Sequence, residues 1–131
     1  MTRFVVDTSA VLHLAAEKFE IAAEHELLAP TLLRSRTLSA LHEAVHRGEL
    51  SADVARERLA YIGRMKMRLL GDAVLRKVAW EVADRLGSAS TYDAEYIALT
   101  KLQADVLATV DAELAASAEG LVETASIDAL R

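Results

Sequence analysis

Arg3-Phe4-Val5-Val6-Asp7-Thr8-Ser9-Ala10-Val11-Leu12-His13-Leu14-Ala15 decides the architecture. Phe4, Val5 and Val6 are aromatic and β-branched, the composition of a short strand. Val11, Leu12, Leu14 and Ala15 then recur at helical spacing. A strand that passes so directly into a helix leaves Asp7 at the strand's carboxyl end and Thr8 or Ser9 at the helix start. Open α/β sheets place their ligand crevice there. Asp7 also suits the N-cap of that helix, a role that needs no function.

The same grammar returns near the end of the chain. Ala104-Asp105-Val106-Leu107-Ala108-Thr109-Val110-Asp111 is a second strand-like run ending in an acid, Glu113-Leu114-Ala115-Ala116 begins a short helix, and Leu121-Val122-Glu123-Thr124 reads as a last edge strand. Before them, Ser90-Thr91-Tyr92-Asp93-Ala94-Glu95-Tyr96-Ile97-Ala98-Leu99 reads as a helix opening. Ser90 and Thr91 can accept hydrogen bonds from the unpaired N–H groups of the first turn, and Asp93 lies where the helix dipole favours negative charge. Tyr96, Ile97, Leu99 and Leu102 supply an apolar face. Ser90-x-x-Asp93 also matches a capping box, which again needs no function.

Between these ends the pattern is mostly helical. Lys18 to Ala29 is poorly periodic, with a short extended piece at Glu26–Ala29. Pro30 suits the first turn of a helix through Leu32, Leu33, Leu38, Leu41 and Val45 that stops at Gly48. Ser51 starts another, with Leu59, Ile62 and Met65 facing inward. Met67 to Gly71 is a short strand or a connector. Asp72 opens a helix carrying Val74, Leu75, Val78, Val82 and Leu86 and ending at Gly87. Trp80 lies near that stripe and reads as core or as a partner contact. Alternating strands and helices with short connections predict an α/β fold, a mostly parallel sheet covered by helices on both faces. The 131 residues are expected to form a single domain, 1–131.

Composition removes several function classes. No apolar run approaches the roughly twenty residues of a membrane span, and no signal-peptide pattern opens the chain. The expectation is a soluble, cytoplasmic protein with no membrane partner. The absence of cysteine excludes disulfides, thiolate zinc sites and cysteine nucleophiles, so a metal here is held by oxygen or histidine. The net charge of −5 conceals an uneven distribution, because ten basic residues stand against five acids between Arg34 and Lys77. That middle could track an RNA backbone, or form solvated helix faces with paired acids.

Asp7 and Asp111 follow strands and Asp93 opens a helix, so a parallel sheet gathers all three along one edge. Clustered carboxylates repel, and protonation or a cation relieves the repulsion. Hard oxygen ligands fit magnesium or manganese. Such ions orient phosphodiesters and stabilise charge on a leaving oxygen.

Phe4-Val5-Val6-Asp7-Thr8-Ser9-Ala10, Thr91-Tyr92-Asp93-Ala94-x-Tyr96-x-Ala98-Leu99 and Ala108-Thr109-Val110-Asp111 resemble the three signature blocks of PIN-domain ribonucleases. The whole length fits, and the likeness is greatest to the VapC-type toxins of toxin–antitoxin pairs. The resemblance implies a three-layer α/β/α sandwich and a Mg2+- or Mn2+-dependent endoribonuclease. It also implies a homodimer inhibited by a small cognate antitoxin. Asp7, Asp93 and Asp111 are the implied catalytic acids. One departure stands out, since the family's second acid follows a Pro-x-Leu-Leu-x-x-Glu pattern and Arg36 occupies that place here. Glu43, about 10 Å further along the helix, could substitute only if the helix were shifted or bent. The expectation is weak metal binding, with Asp7 and Asp93 holding one ion and Asp111 acting at longer range or through water. Arg36 and Ser9 are candidates for contacting a substrate phosphate or modulating the site. The alternative is a degenerate PIN domain that binds RNA or a protein partner without cutting.

Other chemistry finds less support. His42 and His46 have i, i+4 spacing but lack the glutamate of the metalloprotease motif, and His13 and His25 add no zinc pattern. A haloacid-dehalogenase-like phosphatase needs an acid where Ser9 stands. A receiver domain needs a second acid at the first strand and a lysine in register. Tyr92 and Tyr96 read as helix packing.

Overall fold

A five-stranded, wholly parallel sheet of order β3-β2-β1-β4-β5 divides the molecule into layers. The computed structural model describes residues Met1–Arg131. In chain order the elements are β1 (Arg3–Val6), α1 (Thr8–Glu17), β2 (Glu26–Pro30), α2 (Leu32–His46), α3 (Ala52–Arg64) and β3 (Arg68–Leu70). There follow α4 (Ala73–Leu86), α5 (Tyr92–Gln103), β4 (Val106–Ala108), α6 (Ala112–Ala118), β5 (Thr124–Ala125) and a 3-10 turn at Ile127–Leu130.

Winding runs from β1 outward to β2 and β3, then returns past β1 to β4 and β5. Parallel crossovers are right-handed, so the reversal sends the later helices to the opposite face of the sheet. α1, α2 and α3 pack on one another, while α4 lies along α5, which rests on β1, β2 and β4. The result is a three-layer α/β/α fold, as expected. The central strands are covered on both faces, which explains why Val5, Val6, Leu28, Ala29 and Leu107 form unbroken apolar runs rather than alternating ones. Val11, Leu14, Leu33, Ile97 and Leu99 meet them from the helices.

Pro30 is not in the first turn of α2 but is the last residue of β2. The final β1–β2 pair is Val5 with Leu28, so Pro30 lies beyond that ladder and its missing N–H costs nothing there. Thr31 takes up the pairing on the other side, donating to the Leu70 carbonyl at 3.1 Å. Met67–Gly71 resolves into the edge strand β3, and the last strand lies slightly later than the Leu121–Thr124 run. Leu38, Val74 and Leu102, expected to face the core, are exposed. Trp80 is 66% exposed, which removes it from the core. Leu38, Val74 and Trp80 each lie one position from a buried residue (Thr37, Leu75 and Ala79), and Leu102 lies past Thr100, the last buried residue of α5. No helix is long and apolar enough to cross a membrane.

Candidate active site

The reversal of winding falls between β1 and β4, and a crevice opens beyond the carboxyl ends of adjacent strands at such a point. Asp7 follows β1 there and Asp111 follows β4 three residues after its last paired residue, Ala108. The carboxylate of Asp7 is buried and accepts hydrogen bonds on both oxygens. It N-caps α1 by accepting the Ala10 N–H at 2.9 Å, accepts Ser9 Oγ at 2.9 and 2.8 Å on its two oxygens, and accepts Thr109 Oγ1 at 3.0 Å. Burial raises the Asp7 pKa, these hydrogen bonds oppose the rise, and the negative charge of Asp111 adds to it.

Asp111 caps α6, accepting the N–H groups of Glu113 at 2.9 Å and Leu114 at 3.3 Å on a single oxygen. Asp93 sits in the first turn of α5 and is exposed. Capping of that turn falls to Ser90, whose Oγ accepts the Tyr92 N–H at 3.2 Å, while the Thr91 side chain caps nothing. Desolvation and the charges of Asp111, Asp7 and Glu113 raise the Asp93 pKa, and the Arg36 guanidinium opposes them. The three aspartates therefore lie within electrostatic reach of one another. No hydrogen bond is among the influences on Asp93, so its carboxylate is free for a ligand.

The remaining candidates divide. Ser9 is bound to Asp7 and lies 3.3 Å from Thr109 Oγ1. Arg36 stacks over the ring of Tyr92, 4.6 Å from its centroid, and so stands beside Asp93. Glu43 faces its own helix, accepting Ser39 Oγ at 2.6 Å and pairing with Arg47 at 3.9 Å. The fourth acid, the one that acts on Asp93 besides Asp111 and Asp7, is instead Glu113. Its only sequence signal was its place two residues after Asp111, in the first turn of a short helix. Thr109 was visible as the one polar residue at the end of an otherwise apolar strand. Tyr92 is not packed but 48% exposed, which corrects its reading as a helix-packing residue.

No protein-family model matches the chain, and neither does any curated protein sequence. Solved structures do. PAE2754 from Pyrobaculum aerophilum is 26% identical with a TM-score of 0.70, covering 93% of this chain and 90% of that one. VapBC2 from Rickettsia felis, solved with a DNA fragment from its promoter, has a TM-score of 0.70 at 7% identity, covering 95% and 98%. The chain has a PIN-like fold. Mycobacterium tuberculosis VapC20, described as a Sarcin-Ricin loop cleaving toxin, superposes with a TM-score of 0.61 at 20% identity, covering 92% and 97%. The PIN-like architecture and the likeness to VapC-type toxins expected from the three sequence blocks thus agree with the solid shape of the molecule.

Within this PIN-like crevice no three His, Cys, Asp or Glu side chains are gathered closely enough to cage a metal ion. The donor set still suits a hard cation. Burial raises Asp7 and Asp93, the charges of neighbouring carboxylates add to the rise, and Asp93 has no competing donor. Magnesium keeps several waters and takes one or two carboxylates rather than an all-protein cage. Tyr96, buried behind the site, exchanges a 2.9 Å hydrogen bond with Thr8 and has its pKa pushed up to about 12, so it is a neutral phenol and not a base near neutrality.

Proposed function

We propose that this protein is a divalent-metal-dependent endoribonuclease that hydrolyses RNA phosphodiester bonds, acting as the toxin of a toxin–antitoxin pair. The observation that carries this reading is the placement of Asp7 and Asp111 after the strands where the winding of the sheet reverses, tied together through Thr109, with the Asp93 carboxylate free of hydrogen bonds and within their electrostatic reach. The likeness to a toxin described as cleaving the Sarcin-Ricin loop supports the choice of RNA. Asp7 and Asp93 would hold one Mg2+ or Mn2+, with Asp111 acting at longer range. When bound, such an ion orients the phosphodiester, favours deprotonation of an attacking water and neutralises charge on the leaving oxygen.

The chain's own residues set the geometry. Ser9, Thr109 and the Ala10 N–H fix Asp7 in one orientation. The exposed Asp93 carboxylate, held by no hydrogen bond, is the partner that meets the ligand. A cognate antitoxin and a second copy of the chain complete the proposed set of partners. A basic middle and acidic ends offer complementary surfaces for RNA and for a basic partner.

One observation favours a second reading. The positive charge of Arg36 already offsets part of the negative charge at Asp93, as a bound cation would. A non-catalytic PIN domain that binds RNA or a protein follows from that. Incubating the purified protein with structured RNA, in manganese and in EDTA, separates the two. Cleavage that needs manganese and disappears in Asp7→Asn and Asp93→Asn supports the enzyme. RNA binding without cleavage in manganese replaces it with the second reading.

A further inference from the structure

The geometry points to a nucleotide-binding subsite built by Arg36 and Tyr92 beside the carboxylates, an inference that rests on the RNA reading above. Arg36 is exposed on α2, and its guanidinium lies over the Tyr92 ring at 4.6 Å. Tyr92 immediately precedes Asp93 in the chain. The contact occupies one face of the guanidinium and leaves its edge of N–H donors directed elsewhere.

Arg36 also lines a polar groove of about 250 Å³, together with Thr8, Ser39, Ala40, Glu43 and Arg47. Thr8 and Ser39 bring hydroxyls to it. Arg47 is committed, pairing with Glu43 and with Glu49 on either side. Arg36 is therefore the cation of the groove with no carboxylate bound to it. Ser39 is already bound to Glu43 and Thr8 to Tyr96, so the donors open to a ligand are those of Arg36, and one guanidinium suits one phosphate, which an arginine fork takes in two parallel hydrogen bonds.

Beside it, Tyr92 is 48% exposed. An exposed ring next to a phosphate site offers a surface on which a base can stack without regard to its identity. Phosphate on the Arg36 edge and base on the outer side of the Arg36–Tyr92 pair define one nucleotide of a single strand, flanking the bond presented to Asp7 and Asp93. The substitution that removes a carboxylate from the usual cluster thus supplies a contact for the substrate strand.

The test is binding of a short fluorescein-labelled single-stranded RNA of mixed sequence, followed by anisotropy across a salt series, in EDTA and again in calcium. Arg36→Ala is expected to weaken binding about tenfold and to flatten the dependence of log K on log salt by about 0.7, the value for one phosphate of a single strand. Tyr92→Leu keeps the bulk without the ring and is expected to weaken binding about tenfold with the salt slope unchanged, while Tyr92→Phe binds as wild type. Both residues are exposed, and matching circular dichroism melts establish that the variants fold. A wild-type salt slope in Arg36→Ala, or wild-type affinity in Tyr92→Leu, overturns the subsite while leaving the RNA reading intact. A wild-type protein that binds no RNA in either condition overturns both.

Discussion

Thr109 Oγ1 donates to Asp7 Oδ2 at 3.0 Å across 102 residues of sequence, joining the end of β4 to the end of β1. The same hydroxyl accepts the Asp111 N–H at 3.0 Å. One buried side chain thereby couples two of the three acids and fixes the strand ends between which the crevice opens.

Replacing Thr109 with valine preserves shape and removes both contacts. A hydrogen bond to a charged group contributes about 1.5–3 kcal/mol, and the Asp7 carboxylate has little solvent to turn to. Thr109→Val is expected to lose about 2 kcal/mol in urea denaturation at neutral pH. Because the lost bond is one that lowers the Asp7 pKa, that pKa moves further up. A carbon-detected NMR titration of the side-chain carboxyls reads the shift directly. Denaturation curves that superimpose on wild type would contradict the role.

Asp7 and Asp93 both titrate above the ordinary 3.8 in the folded protein. The folded state holds these protons more tightly than the unfolded state, so the stability they contribute is full below about 3.8 and is lost as pH rises through the folded values. At neutral pH both are charged at a cost. Asp93→Asn, which sacrifices no hydrogen bond, is expected to melt at a higher temperature than wild type near pH 7. Magnesium or manganese raises the melting temperature of the wild type and not of the variant. A divalent ion that stabilises both alike would remove Asp93 from the ligand set.

Arg36→Glu exchanges the one cation acting on Asp93 for a carboxylate. A change of two charge units beside a partly exposed pair is worth on the order of 1–2 kcal/mol at an effective dielectric near that of a protein surface. Calorimetric titration is expected to show magnesium bound roughly tenfold more tightly than by wild type. Equal affinities would place Arg36 outside the field of the ion.

Much of the fold was written in local pattern. Val5-Val6 and Leu107-Ala108 are buried, so their apolar runs survive any register, and the acids that follow them mark the strand ends. Features that depend on distant partners were not legible. The place of Pro30 in β2 is set by where β1 stops pairing, which Pro30 and its neighbours do not encode. The exposure of Leu38, Val74, Trp80 and Leu102 follows from how α2, α4 and α5 are rotated on the core, where small residues allow close approach and leave larger ones outside. The stack of Arg36 on Tyr92 joins α2 to the start of α5, and no spacing within either helix announces it. The charge of Glu113 acts on Asp93 although the two stand on different helices, α6 and α5.

Tyr96 Oη and Thr8 Oγ1, 2.9 Å apart, form the wall behind the carboxylates. Burial raises the phenol to about 12, with the negative charge of Asp7 adding to the rise. Folded and unfolded tyrosine therefore differ above the ordinary value of 10.0, and the stability contributed by the neutral phenol is present below that value and lost as pH rises through about 12. An absorbance titration of tyrosinate is expected to show a component near pH 12 that is missing in Tyr96→Phe. The same variant loses about 1 kcal/mol of stability, the usual contribution of a neutral hydrogen bond. Because the group carries its proton throughout the neutral range, the pH profile of cleavage in Tyr96→Phe is expected to keep the wild-type shape between pH 6 and 9, to order of magnitude in rate. A profile whose alkaline limb moved with this substitution would assign the phenol a proton-transfer role that its burial argues against.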